Sequence, residues 1–203
     1  MFKNSNYKFN KYLISYKKLL DETLKNLDNK SLHKAVNEIE ITIKKKSNIF
    51  VCGNGGSHAI ANHYVCDYFK VLEKDTKLLP KIISLCSDNA LISAISNDFS
   101  YDDVFYYQAK RLFKKNDLLI VLSSSGNSKN IKKVLDYANK IKIKSIGFCS
   151  FTGGYVKKNC TIPIYSKVNN YGISEDINHI LMHSMMQSIK LRNLKKNIKK
   201  PTL

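Results

Sequence analysis

Apolar side chains along this chain follow two rhythms in turn, and their alternation predicts the fold. Over residues 5–28, Phe9, Tyr12, Leu13, Tyr16, Leu19, Leu20, Leu24 and Leu27 recur at three- and four-residue spacing with lysines between them, the stripe of an amphipathic helix. No strand precedes it, so it packs either on the sheet of its own chain or against another subunit, and the pattern fits both. A second helix runs from Ser31 to about Lys45, with Leu32, Ala35, Val36, Ile39 and Ile43 on one face. Short β-rich runs then appear at Asn48–Val51, Lys81–Cys86, Asp117–Leu122, Lys144–Cys149 and Thr161–Tyr165. Helical spacing separates them: Ala59–Val65, Ala90–Ile95 behind a Ser87-Asp88-Asn89 cap, Tyr101–Phe113, 129–141 with Ile131, Val134, Leu135 and Ala138, and finally 175–195. Asn97-Asp98 reads as a helix breaker and Thr152-Gly153-Gly154 as a turn. Pro163 lacks an N–H for a ladder, which puts the last strand at a sheet edge. Strands alternating with helices predict an α/β protein, a parallel sheet covered on both faces.

Two of the strand-to-helix corners carry candidate chemistry. Val51-Cys52-Gly53-Asn54-Gly55-Gly56-Ser57-His58 places glycines where strand becomes helix, so the backbone can turn tightly, approach an anion and offer the free N–H groups of a first helical turn. Ser57 adds a hydroxyl and can cap the helix. Alone, this corner is equally a glycine-rich turn closing a buried strand. The second corner, Ser123-Ser124-Ser125-Gly126-Asn127-Ser128, follows the apolar strand 117–122 and supplies four hydroxyls. Two such corners aim at one ligand, because open α/β sheets bind outside the carboxyl ends of their strands near a switch point.

Size and charge narrow the picture. A chain of 203 residues suits one domain with a core of its own. The formal charge of +18 is almost all lysine, with Arg111 and Arg192 the only arginines, and its dense runs are Lys44-Lys45-Lys46 and the tail after Lys195. Lysines scattered over every helix describe a solvated surface whose field favours small anionic ligands, rather than a surface that reads nucleic-acid bases. Cys52, Cys66, Cys86, Cys149 and Cys160 lack C-x-x-C spacing and fit reduced thiols in a cytoplasmic protein, and no apolar run approaches membrane-spanning length. On the helix after the glycine corner, His63 and Asp67 share one face. On the last helix Glu175, His179 and His183 fall at four-residue steps, which a polar, solvated flank would also explain.

Taken in order, Cys52–Ser57, His63, Asn97-Asp98, Ser123–Ser128, Thr152–Gly154 and the Glu175…His183 helix resemble the sugar isomerase (SIS) domain family, and most closely its phosphoheptose isomerases. The resemblance covers essentially the whole chain. It implies a single SIS domain over 1–203: a three-layer sandwich with a five-stranded parallel sheet flanked by helices. It also implies a homotetramer to whose packing the helices of 5–45 contribute, with 196–203 left as a basic tail. The implied activity is that of an aldose–ketose isomerase converting D-sedoheptulose 7-phosphate to D-glycero-D-manno-heptose 7-phosphate. By the same resemblance Ser123, Ser124, Ser125 and Ser128 bind phosphate, and Asn54, Gly55, Gly56, Ser57, Asn97, Asp98 and Glu175 contact the sugar. His63, Asp67, Glu175 and His183 form a Zn2+ set, and Asp67, Glu175 and His183 carry catalysis. Two positions depart from the family pattern, with Asp67 where glutamate is usual and Glu175 where glutamine is usual. Withdrawing a carboxylate by one methylene costs on the order of a hundredfold in rate unless something compensates, and the carboxylate gained at Glu175 is a candidate for that. SIS proteins also include non-catalytic regulators, one of them a partner of the bacterial replication initiator, and these need not keep ionisable groups at all four positions.

Overall fold

A computed structural model describes residues 8–195. Its elements are α1 (Phe9–Lys25), α2 (Asn29–Lys44), β1 (Asn48–Gly53), α3 (Gly56–Asp75), β2 (Lys81–Ser84), α4 (Asn89–Asp98), α5 (Val104–Leu112), β3 (Leu118–Leu122), α6 (Lys129–Lys140), β4 (Lys144–Cys149), α7 (Gly154–Asn159), β5 (Ile162–Tyr165) and α8 (Tyr171–Arg192), with a 3-10 turn at Tyr101–Asp103. Residues 5–7 of the first expected helix and the basic tail 196–203 lie outside the described residues.

The sheet has five strands, all parallel, in the order β2-β1-β3-β4-β5. From β1 the chain moves outward to β2, then returns to place β3 on the other side. The switch point therefore falls between β1 and β3, whose last residues Gly53 and Leu122 are register partners. The glycine and serine corners leave the sheet as neighbours there, as expected of an open α/β ligand site. Pro163 sits on the edge strand β5, where its missing N–H breaks no second ladder.

Helices cover both faces. α8 packs against α1, α2 and α3 on one side, and α6 lies between α5 and α7 on the other. Leu118 to Leu122 of β3 are almost wholly buried, as the central strand between two helical layers must be. Buried Asp117 anchors the far end of the sheet, accepting from the backbone N–H of Asn48 at 2.8 Å and of Lys114 at 2.7 Å. The inner stripe of α1 faces the core, whereas Phe9, Leu13 and Ile14 are exposed. Tyr16 on α1 donates to Asp176 at 2.7 Å, fastening that helix to the second turn of α8.

Several element limits differ from the sequence expectation for local reasons. α4 runs through Asn97 and Asp98 instead of breaking before them, because both stand in its last turn, where polar side chains cost little. Tyr101–Phe113 divides into a 3-10 turn and α5, since Ser100 caps the turn by accepting from the N–H of Asp102. Gly154, expected to close the turn Thr152-Gly153-Gly154, instead opens the short helix Gly154–Asn159, and α8 starts four residues early because the Asn170 side chain accepts from the N–H of Ile173 and caps it.

Candidate active site

The serine corner is held from behind by buried hydroxyls. Ser174 on α8 donates to Ser124 at 2.8 Å and is itself 2.7 Å from Ser150, and all three are buried. Gly126 has φ of +67°, and a Cβ there would collide with the Gly153 carbonyl, so only glycine lets this loop pass the β4–α7 turn. On the facing corner, the Asn54 and Asn130 amides exchange two hydrogen bonds of 2.9 Å, and the Tyr101 hydroxyl donates to Asn54 at 2.9 Å. Between the corners lies a cavity of about 140 Å³, lined by Asn54, Ser57, Ser123, Ser124, Ser125, Ser128, Tyr171 and Glu175. Its size and neutral donors suit a phosphate group, and the starts of α3 and α6 turn their free N–H groups toward the same end of the sheet.

Glu175 is packed against Gly56 so closely that a Cβ at that glycine would collide with its carboxylate. This contact begins a series in which α3 and α8 run side by side in the same direction: Gly56 meets Glu175, His63 meets His179, Asp67 meets His183 and Asp75 meets Lys190. Asp67 bridges two imidazoles, with Oδ1 at 3.3 Å from His63 Nε2 and Oδ2 at 3.0 Å from His183 Nε2. One ligand atom from each of these three residues can be chosen so that all lie within 4.8 Å of one another. Two imidazole nitrogens and a carboxylate, held on rigid helices with solvent on one side, match the three-ligand set with an open position that zinc adopts in catalytic sites. Glu175 stands apart from this trio. Eight residues separate it from His183, about 12 Å along the helix at 1.5 Å per residue, and its carboxylate lines the phosphate-sized cavity.

His179 is the member of the four-residue row that looked merely solvated. It is half-buried, its Nε2 is 3.4 Å from His63 Nδ1, and its ring stacks on that of His183 at 8°. Burial, then the neighbouring His63 and His183, hold its pKa below the usual histidine value.

A profile of the SIS domain family matches residues 11–150. The chain belongs to the SIS domain family. Among its relatives, a phosphoheptose isomerase of Helicobacter pylori is 29% identical over 92% of this chain and 96% of its own. One from Aliarcobacter butzleri is 34% identical over 73% of this chain and 78% of its own. The solved phosphoheptose isomerase of Francisella tularensis superposes with a TM-score of 0.82, covering 93% of this chain and all of that one, and at 24% identity it speaks for the fold alone.

Within the SIS fold, the other residues singled out by sequence take different places. Asn97 and Asp98 are exposed at the end of α4, where Asn97 donates to Asp98 at 2.9 Å. Asn130 and Tyr101, which brace Asn54, escaped the sequence reading because each lies just outside a recognisable motif, whereas Tyr171 and Ser174, which line or brace the cavity, stand at the entry to the last helix whose sequence departs from the family pattern. A larger cavity of about 460 Å³ lies at the opposite end of the sheet, lined by Phe113, Tyr137 and several lysines. The carboxyl ends of α2, α5 and α6 converge there, and lysines complement such ends without any ligand. Burial pushes the Cys52 thiol up, and raises Cys149 to about 12 and Cys160 to about 11, which leaves these cysteines protonated and inert. Among the described residues no helix is long and apolar enough to cross a membrane.

Proposed function

We propose that this SIS domain chain is an aldose–ketose isomerase of phosphorylated sugars, with D-sedoheptulose 7-phosphate and D-glycero-D-manno-heptose 7-phosphate as the pair it interconverts. The observation that carries the reading is the shared α3–α8 face. It starts at a phosphate-sized cavity and, about 10 Å further along at seven residues from Gly56 to His63, reaches two imidazoles joined by a carboxylate. A sugar phosphate seated by Ser123, Ser124, Ser125 and Ser128 would lay its carbonyl end along that face. The relatives named phosphoheptose isomerase support the heptose substrate.

Exchange between ketose and aldose requires a base at the carbon next to the carbonyl and stabilisation of the enediolate oxygen. Asp67 or Glu175 is the base in this reading: Asp67 stands at the histidine end of the face, and Glu175 stands where the sugar leaves the cavity toward it. His63, Asp67 and His183 would hold a zinc ion, which when bound supplies a Lewis acid for the sugar oxygens. Asn54 and Ser57 orient the sugar, and the same role is proposed for Gly55, Gly56, Asn97 and Asp98. The exposed Phe9, Leu13 and Ile14 on α1 support self-association, which we propose is a homotetramer of one SIS domain per chain, located in the cytoplasm.

The test is turnover of sedoheptulose 7-phosphate with solvent deuterium entering the product next to its carbonyl carbon. Activity should vanish on chelation and in His183→Ala. Purified protein that binds the sugar phosphate without converting any heptose or hexose phosphate would contradict isomerisation and favour a phosphosugar-binding regulator.

A further inference from the structure

We propose that His179 is a positioning residue for the cation cluster, accepting a hydrogen bond from His63 Nδ1 and thereby fixing which nitrogen of His63 faces the ion. The inference rests on the metal reading above and adds to it a residue outside the ligand set.

The two sides of the His63 ring face different partners. His63 turns Nε2 toward Asp67, at 3.3 Å, and Nδ1 toward His179 Nε2, at 3.4 Å. The two nitrogens of an imidazole point away from each other, so they cannot both bind one ion. An ion shared with Asp67 and His183 would take the Nε2 lone pair. A neutral imidazole has a single proton, which must then sit on Nδ1, and a ligating histidine almost always donates that proton to a fixed acceptor. In its Nδ1–H tautomer, His179 presents Nε2 as that acceptor.

The acceptor is itself held in place. The His179 ring stacks on His183 with centroids 5.9 Å apart and planes at 8°, while His63 meets the two rings edge-on at 75° and 77°. His63 thus stands edge-on to both imidazoles, which lie one helical turn apart on α8. Rotating His63 away from Asp67 would break its contact with His179. A histidine that merely faced solvent would impose no such restraint.

The experiment measures zinc affinity of the full chain by competition with a chromogenic chelator, together with the visible absorption of the cobalt(II)-loaded protein. His179→Leu should weaken zinc binding about 10- to 100-fold, the usual effect of removing an acceptor behind a ligating histidine. His179→Gln, whose amide oxygen reaches the place of Nε2, should bind close to wild type, whereas the shorter His179→Asn should lose affinity as leucine does. The cobalt bands should keep their position and intensity in all three, because the ligand set is unchanged. Wild-type affinity in His179→Leu or His179→Asn would overturn the proposal, as would cobalt bands showing one imidazole fewer, which would make His179 a ligand. Should His179→Leu fail to fold, the glutamine and asparagine pair decides. If His63→Ala loses zinc while the His179 variants do not, this inference alone fails. Wild-type protein that binds no zinc overturns the metal reading and this inference with it.

Discussion

The two ends of the α3–α8 face are built in opposite ways. At the serine corner the restraint is internal: Ser124, Ser174 and Ser150 are buried and bonded to one another, and a left-handed glycine locks the loop against the next turn. At the histidine cluster the groups stand open to solvent, with the side chains of His63 42% and His183 40% exposed, and they contact mainly each other. In the proposed function, a phosphate handle is the same on every substrate and profits from a rigid, preformed seat. The proposed reacting end needs groups that can reach a ligand and exchange protons, which suits its accessibility. A preformed seat lets binding energy at the phosphate orient a distant carbonyl.

The sharpest way to break this contrast is to delete the bridging carboxylate. Asp67→Ala should lower kcat about a thousandfold, the scale of losing a stabiliser of developing charge, while phosphate binding persists. Steady-state kinetics with sedoheptulose 7-phosphate check it, and a parallel rise in KM would mean that the two ends are not separate.

Ser124→Ala tests the other end. It removes one hydroxyl of a buried chain and should cost about 1–3 kcal/mol, read as a raised KM for the sugar phosphate and a lower melting temperature, with kcat largely kept. Unchanged KM would take Ser124 out of the phosphate seat.

A smaller effect concerns the far end of the helix pair. The hydrogen bond from buried Lys190 to Asp75, at 2.6 Å, holds the Asp75 carboxyl below the usual carboxylate range. A carboxylate whose folded pKa is depressed adds stability above its unfolded pKa, and that stability fades as pH falls through the folded one. Wild-type melting temperature should therefore drop on acidification, and this part of the slope should be missing in Asp75→Asn. An identical acid slope in both proteins would show that the pair does not hold the helices together.

How much of this was legible in the sequence follows from what makes a signal local. The five strands and the two corners announce themselves, since β-branched runs ending in glycine or serine clusters carry both period and turn chemistry. α7 did not, because its first residue, Gly154, belongs to a glycine pair that reads as turn and the five residues after it are too few to show a helical period. The early start of α8 depends on Asn170 acting as a cap, which only a formed helix reveals. His63, Asp67 and His183 were named on resemblance, and the helix pair brings them together. The same resemblance grouped Glu175 with them, yet two turns of helix rise keep its carboxylate at the cavity. His179 was hidden because its partner lies 116 residues earlier, and no spacing within α8 can show which flank of that helix faces α3.

The central claim is that one molecule spans both ends of this face. Loading the protein with cobalt(II) and measuring paramagnetic relaxation of the phosphorus of bound sedoheptulose 7-phosphate tests it directly. The account predicts a metal-to-phosphorus distance on the order of 10 Å, set by the helical rise between Gly56 and His63. A phosphorus nucleus that relaxes as if no metal were near, in protein shown to bind both, would contradict it.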